Sequence, residues 1–259
     1  MKPNTLILTP ITSIPLIKPG INLAELFWQS LKSEKIEILN GDILVVTQKI
    51  VSKAENRLIN LSMVTPSQQA FDIAKISKKD PRFIELIISE SDEILRVTPT
   101  TIITQHKLGF VCANAGIDHS NVLGDWGNNK DWYLLLPQNP DESAQEIRDY
   151  FKNRHKRDIG VLIIDSHGRA WRYGTVGMTI GLAGVPGIVD LRGKEDLFGY
   201  KLRITRVAAA DELAAGASLI MGQANEMIPL VHARGFPYKI QDSTNFSEII
   251  RKKEKDLFR

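Results

Sequence analysis

Between Leu23 and Leu31 the apolar residues Leu23, Leu26, Phe27 and Leu31 return every three or four positions. That spacing predicts a helix with one buried face. Asn22 with Glu25 opens it as a capping box does. Elsewhere the apolar residues are consecutive and the runs are short. "TLILT" (Thr5 to Thr9), Ile43 to Thr47 after the "NGD" turn, "EILRV", "TIITQ" and "GFVCANA" predict strands. "IGVLIIDS" predicts a continuous apolar strand ending in Asp165, and "IPLVHARG" a last strand. Thr65-Pro66 and Asp80-Pro81 each read as an N-cap with proline at the first helical position, opening helices over 66–77 and 81–90. Asn139-Pro140 opens another, with Ala144, Ile147, Tyr150 and Phe151 on one face. "YKLRITRVAAADELAAGASLIMGQ" predicts a strand and then a helix from Asp211. The polar insert from Gly124 to Tyr133 predicts a surface loop, and Ser247 to Arg259 a charged, helical tail.

Strands and helices do not alternate strictly, so the pattern predicts an α+β fold: mixed or antiparallel sheets with flanking helices. At 259 residues the chain is read as a single unit over 1–259, with room for two subdomains. The balance of 33 basic and 30 acidic residues is too even to argue for nucleic acid or an anionic membrane. No apolar run approaches the ~18 residues of a membrane span. The first twenty residues are broken by Pro3, Pro10, Pro15 and Pro19, so no signal peptide is read. Cys112 is the single cysteine, which excludes an internal disulfide and fits a reducing compartment. A cytoplasmic protein is expected.

The candidate chemistry begins with two carboxylates. "GFVCANAGID" and "GVLIID" each run from apolar residues into an aspartate, Asp118 and Asp165. Such residues are either turn formers at strand ends or oxygen ligands for Mg²⁺ or Mn²⁺. Ser166 offers a hydroxyl beside the second. Lys49 and Lys53 lie four apart beyond a strand, as a solvated face or as point charges on phosphate. The run "GTVGMTIGLAGVPG" contains neither G-x-x-x-x-G-K-[ST] nor G-x-G-x-x-G, so neither a P-loop nor a Rossmann site is predicted. Its five glycines read as close packing rather than as a phosphate cradle. His106, His119, His155, His167 and His232 show no zinc spacing. Trp171-Arg172 suggests a stacking or anion-binding corner.

"IPLIKPG", "GDILVVTQKIVSKAE", "GFVCANAGIDHSN", "LLPQNPDESA", "IDSHGRAWRYGTVGMTIG" and "LIMGQANEMIPLV" occur in that order. In these segments the chain resembles the coenzyme F420 γ-glutamyl ligase family over nearly its whole length. The resemblance implies an α+β fold particular to that family. It implies GTP-dependent joining of L-glutamate to the terminal carboxylate of F420-0 through an acyl phosphate. It further implies Mg²⁺ or Mn²⁺, two ions in all, with K⁺ assisting, and a homodimer; no fused flavin-reductase-like domain is expected. Carried over by motif, Asp118 and Asp165 correspond to ligands of a first metal, and Ser166 and Gln223 to those of a second. Nucleotide contacts correspond to Ile14, Pro15, Leu16, Ile17, Gln48, Lys49, Lys53 and Asn121, and to Met221, Gly222, Gln223, Ala224, Asn225, Glu226, Met227 and Ile228. Members of the family can carry glutamate in "MGE" where this chain has Gln223, so the second ion's affinity is open. Two rival readings stand beside this one: a related ligase acting on another acid, and a nucleotide-binding protein without ligase activity.

Overall fold

The computed structural model describes residues 5–124 and 127–256. A five-stranded sheet lies at its centre, in the order β1 (Ile7–Ile11), β12 (Leu230–Arg234), β2 (Ile43–Thr47), β8 (Gly160–Arg169), β9 (Arg172–Ala183). Only the β2–β8 pair is parallel; the other neighbours are antiparallel. The mixed α+β architecture is the expected one.

Both faces of this sheet are covered, which explains the uninterrupted apolar runs. Leu44, Val46, Val161 and Ile163 face a core shared with α1 (Leu23–Ser33) and α5 (Pro140–His155). Ile43, Val45, Leu162 and Ile164 face α6 (Ala209–Met221). Strand periodicity divides alternate residues between the two cores. The glycines of β9 let helices approach closely. A Cβ on Gly177 would stand 2.5 Å from the Cβ of Ser218 and 2.7 Å from the carbonyl oxygen of Ala214 on α6. One on Gly181 would stand 2.4 Å from Cβ of Pro140. The glycine-rich run is therefore a packing surface.

The other elements form a smaller cluster. Helices α3 (Gln68–Ser77) and α4 (Pro81–Ser89) pack on a three-stranded sheet of β4 (Ser91–Val97), β5 (Ile102–His106) and β6 (Val111–Ala113). The short helix α2 (Gln48–Ala54) leaves β2 directly. Two small antiparallel pairs complete the set: β3 (Leu58–Asn60) with β7 (Trp132–Leu134), and β10 (Val189–Asp190) with β11 (Arg206–Val207).

Several boundaries differ from expectation. β1 is shifted and includes Pro10, which an edge strand tolerates. Helix α3 is capped by Ser67, whose Oγ accepts from the N–H of Ala70, so Thr65-Pro66 stands ahead of the cap. α6 starts at Ala209, two residues before Asp211. Among its described residues the tail is not an α-helix: it holds short 3-10 turns at Phe246–Glu248 and Lys253–Lys255, anchored by the buried Phe246. Its lysines offer no apolar face to bury. Asp125 and Trp126 of the insert, and the last three residues of the tail, lie outside the described residues.

The largest departures concern the two aspartates. β6 stops at Ala113, because Asn114, Ala115 and Gly116 are all left-handed (φ 50°, 53° and 64°). The chain then turns to place Asp118 in a single-residue bridge with Leu134. Asp165 does not end β8. It lies within the strand, paired with Met178, because β9 continues alongside it.

Candidate functional site

Four chain segments meet at one end of the central sheet. β2 and β8 are parallel, and Thr47, the last residue of β2, pairs with Ile164. Helix α2 departs at Gln48, and β8 continues into Asp165 and Ser166 without β2 beside it. β12 arrives at the same end, with Leu230 opposite both Ile11 and Val46. The N–H of Thr47 donates to the carbonyl of Pro229 at 3.0 Å. The segment 14–17 leaving β1 and the loop 222–228 preceding β12 therefore share this sheet end. Open sheets bind ligands beyond the carboxyl ends of their parallel strands.

Asp118 is held from α2. Its Oδ2 accepts from Gln48 Nε2 at 2.5 Å and stands 2.9 Å from Lys49 Nζ. Gln48 is itself buried and fixed, since its Oε1 accepts from Ser52 Oγ at 2.9 Å. Burial raises the Asp118 carboxyl above the ordinary range; Lys49 opposes that, and the nearby Asp165 charge reinforces it. The ion pair with Lys49 does not outweigh the loss of water. Lys53 donates to the carbonyl of Asn121 at 2.8 Å. Its ammonium is pushed below its usual range by burial and by Lys49, with Asp118 opposing. Asn121, left-handed at φ 57°, donates from Nδ2 to the carbonyl of Ala224 at 2.8 Å and so ties the two loops together.

Asp165 and Ser166 are neighbours on a strand, so their side chains leave opposite faces. Asp165 shares the face of Val161 and Ile163. Its Oδ2 lies 2.9 Å from Nε2 of His167, two residues on, although the two are not aligned as a hydrogen bond. The His167 ring rests against Phe110. Cys112 lies near enough that burial and Asp165 together push its thiol up to about 12. On the α6 face, Ser166 Oγ donates to Gln223 Oε1 at 2.8 Å, and Gln223 Nε2 donates to Ser218 Oγ at 3.2 Å. Gly222, at φ 73°, ends α6 and turns the chain. The N–H of Ala224 then donates to the Glu226 carboxylate at 2.8 Å.

The structure thus brings together Gln48, Lys49, Lys53, Asp118, Asn121, Asp165, Ser166, Gln223 and Ala224. It does not bring the segment 14–17 onto those polar groups: Ile14 and Ile17 pack on the α1/α5 core, while Pro15 and Leu16 face solvent. Met221 is buried against the sheet, Asn225 and Met227 are exposed, and Ile228 packs on the α6 core. The lack of zinc spacing gives His167 no role in the sequence, yet it lies beside Asp165. Its spacing of two from Asp165 on a strand was the signal that placed it on the same face. A cavity of about 420 Å³ between α1, α2 and α5 contains none of these groups, and Glu55 and Glu146 in its wall would repel a triphosphate.

Among the described residues no three His, Cys, Asp or Glu converge as a metal cage. Two carboxylates with hydroxyl and amide oxygens are a hard donor set. It suits Mg²⁺ or Mn²⁺ completed by phosphate oxygens, and it does not suit zinc.

This polar sheet end falls within a match to known proteins. The family described as F420-0:Gamma-glutamyl ligase matches residues 12–235. The chain belongs to that family. It is 42% identical over 250 residues to the coenzyme F420:L-glutamate ligase of Methanothermobacter thermautotrophicus, covering 96% of this chain and 97% of that protein. The ligase of the same name from Methanopyrus kandleri is 41% identical over 258 residues, covering 98% of both chains. That from Methanococcus maripaludis strain C7 is 43% identical over 248 residues, with 95% and 94% covered. Every residue of the polar sheet end just described, from Gln48 to Glu226, lies inside the matched range. Among the described residues no helix is long and apolar enough to cross a membrane.

Proposed function

We propose that this family member joins L-glutamate to the terminal carboxylate of F420-0, with GTP as phosphoryl donor. The observation that carries the reading is the convergence of Asp118, Asp165, Ser166 and Gln223 with Lys49 and Lys53 at one sheet end. Amide formation from a free carboxylate needs that carboxylate activated. In the proposed course a carboxylate oxygen of F420-0 attacks the γ-phosphorus and GDP leaves. The amine of glutamate then attacks the acyl phosphate, loses a proton, and expels phosphate with the carboxylate oxygen.

The protein's part is positioning and charge. Asp118 and Asp165 on one side of β8, and Ser166 with Gln223 on the other, would hold two separate ions, because adjacent strand residues cannot point at one. Bound Mg²⁺ or Mn²⁺ neutralises phosphate oxygens and lets two anions approach. Lys53, desolvated and fixed on Asn121, adds a second ammonium on the same side as Lys49. The buried Gln48 amide holds Asp118 in register. K⁺ is a further expected activator.

A second copy of the chain is the proposed structural partner. Leu197, Phe198 and Ile204, between β10 and β11, are each at least 88% exposed, an apolar surface that association would cover. The test of the activity is an incubation of purified protein with GTP, Mn²⁺, glutamate and F420-0, read by mass spectrometry. Addition of glutamyl residues with phosphate release supports the reading. GTP consumption without a glutamylated product transfers it to another acid acceptor, and nucleotide binding without turnover leaves only a binding protein.

A further inference from the structure

The strand that carries Asp165 and Ser166 does not end near them. It continues for three residues to Arg169, turns through Ala170 and Trp171, and returns as β9 from Arg172. Three features of this tip stand out. Trp171 is 86% exposed and Tyr173 fully so, at 103%. Trp171 has φ +66°, in a turn position that usually falls to glycine or asparagine. A bulky residue there strains the backbone, and such strain persists where a site needs the side chain. Finally, Arg169 and Arg172 are direct cross-strand partners; Arg169 donates to the carbonyl of Gly174 at 3.0 Å, and neither arginine is ion-paired with a carboxylate among the described residues. Like charges placed opposite one another disfavour the hairpin unless an anion lies between them.

We propose that this tip is the docking site for the far end of the acceptor: the aromatic rings receive its planar head, and Arg169 with Arg172 its linker phosphate. The inference rests on the reading of the site as an F420-0 ligase. F420-0 has a planar deazaflavin at one end, the reacting carboxylate at the other, and a phosphodiester between. Length supports the match. Four to five residues at ~3.3 Å each place the turn that carries Trp171 about 15 Å beyond Asp165. Roughly ten single bonds, about 12–15 Å extended, separate the acceptor's carboxyl carbon from its ring system. A carboxylate seated beside Asp165 and Ser166 thus carries its ring to Trp171. Stacking on an exposed aromatic is insensitive to ring substituents, and suits a head group far from the chemistry.

The test is a titration of the full chain with F420-0, followed by deazaflavin fluorescence without glutamate. Parent, Trp171→Gly, Trp171→Phe, Tyr173→Ala and Arg172→Gln are compared. Glycine suits the left-handed backbone, so Trp171→Gly removes the ring without straining the turn. Mn²⁺–GDP binding by calorimetry and mass by light scattering are recorded for each. Trp171→Gly and Tyr173→Ala should each bind F420-0 roughly 5- to 100-fold more weakly. Trp171→Phe should stay within a few-fold of the parent, and GDP affinity and mass should not change. Unchanged F420-0 affinity in both ring-deletion variants overturns the proposal and leaves the ligase reading standing. Loss of oligomeric mass in Trp171→Gly also overturns it, by assigning the tip to contact between copies. A parent that binds GDP but not F420-0 overturns both.

Discussion

Replacing Asp118 with asparagine separates what the site needs from what the fold needs. The amide is nearly isosteric, and its oxygen can accept from both Gln48 and Lys49 as the carboxylate does. What is lost is one negative charge in a half-buried place. Burial, reinforced by Asp165, raises the Asp118 carboxyl in the folded chain despite Lys49. A carboxyl raised on folding holds its proton more tightly in the folded state than in the unfolded one. At neutral pH its ionised form therefore subtracts from stability. In metal-free buffer Asp118→Asn should melt at a higher temperature than the parent. Activity should move the other way. A positioned divalent ion contributes several kcal/mol to charge stabilisation. Losing about 3 kcal/mol of that costs roughly 150-fold in rate. The assay is thermal denaturation with and without Mn²⁺, paired with turnover. At a hundred times its Kd, the ion should stabilise the parent by about 2.7 kcal/mol. In a chain of this size that is roughly 5–10 °C. The variant should gain little at the same concentration. A variant that melts below the parent without metal, or that gains as much from Mn²⁺, refutes the reasoning.

Gly177→Ala should force α6 away from β9, since the new methyl meets Ser218 and the backbone of Ala214. A loss of ~1–3 kcal/mol in urea denaturation is expected; Ala at no cost would show that α6 is loosely seated. Gln223→Glu restores a charge beside Ser166, so half-maximal rate should need less Mn²⁺; an unchanged metal titration removes Gln223 from the ligand set. Away from the site, burial alone would raise Asp42, but hydrogen bonds from Arg234 and His232 overcome it and hold the carboxyl well below its usual range. Its contribution is thus present above the unfolded carboxyl's pKa and lost as pH falls below it. Asp42→Asn should cost about 3 kcal/mol at pH 7 and flatten the acid limb of the stability profile; a profile parallel to the parent's would contradict this.

The parts of the fold legible in the sequence are those governed by local chemistry. Asn22 caps α1 through the N–H of Glu25, Asp80-Pro81 opens α4, and Ile43–Thr47 is a strand with the predicted bounds. The pairing of strands was not legible, and that pairing moved both aspartates. Asp165 appeared to end a strand because the apolar run stops there. β8 continues because its later residues pair with β9 although Ser166, Gly168 and Arg169 face solvent and only His167 is buried, and hydrogen bonds between strands leave no mark on hydropathy. Asp118 appeared to follow directly from β6, yet the left-handed residues 114–116 intervene, and Ala115 carries no sequence signal for that conformation. The candidate residue set of the site, by contrast, comes from family resemblance alone, and of that set the segment 14–17 lies apart from the polar groups. Composition and spacing left each aspartate open between turn and ligand. Their meeting with Lys49, Lys53 and Gln223 depends on β2 and β8 being parallel neighbours, which only the assembled sheet reveals.

The central claim is that this sheet end activates the acceptor's carboxylate by phosphorylation. Positional labelling tests it most directly. F420-0 carrying ¹⁸O in its terminal carboxylate is incubated with the protein, GTP, Mn²⁺ and glutamate, and the released phosphate is analysed by mass spectrometry. The account predicts one ¹⁸O transferred to phosphate for each amide formed, absent with Asp118→Asn or Asp165→Asn. Amide formation with unlabelled phosphate, or phosphate release with no amide, would contradict it.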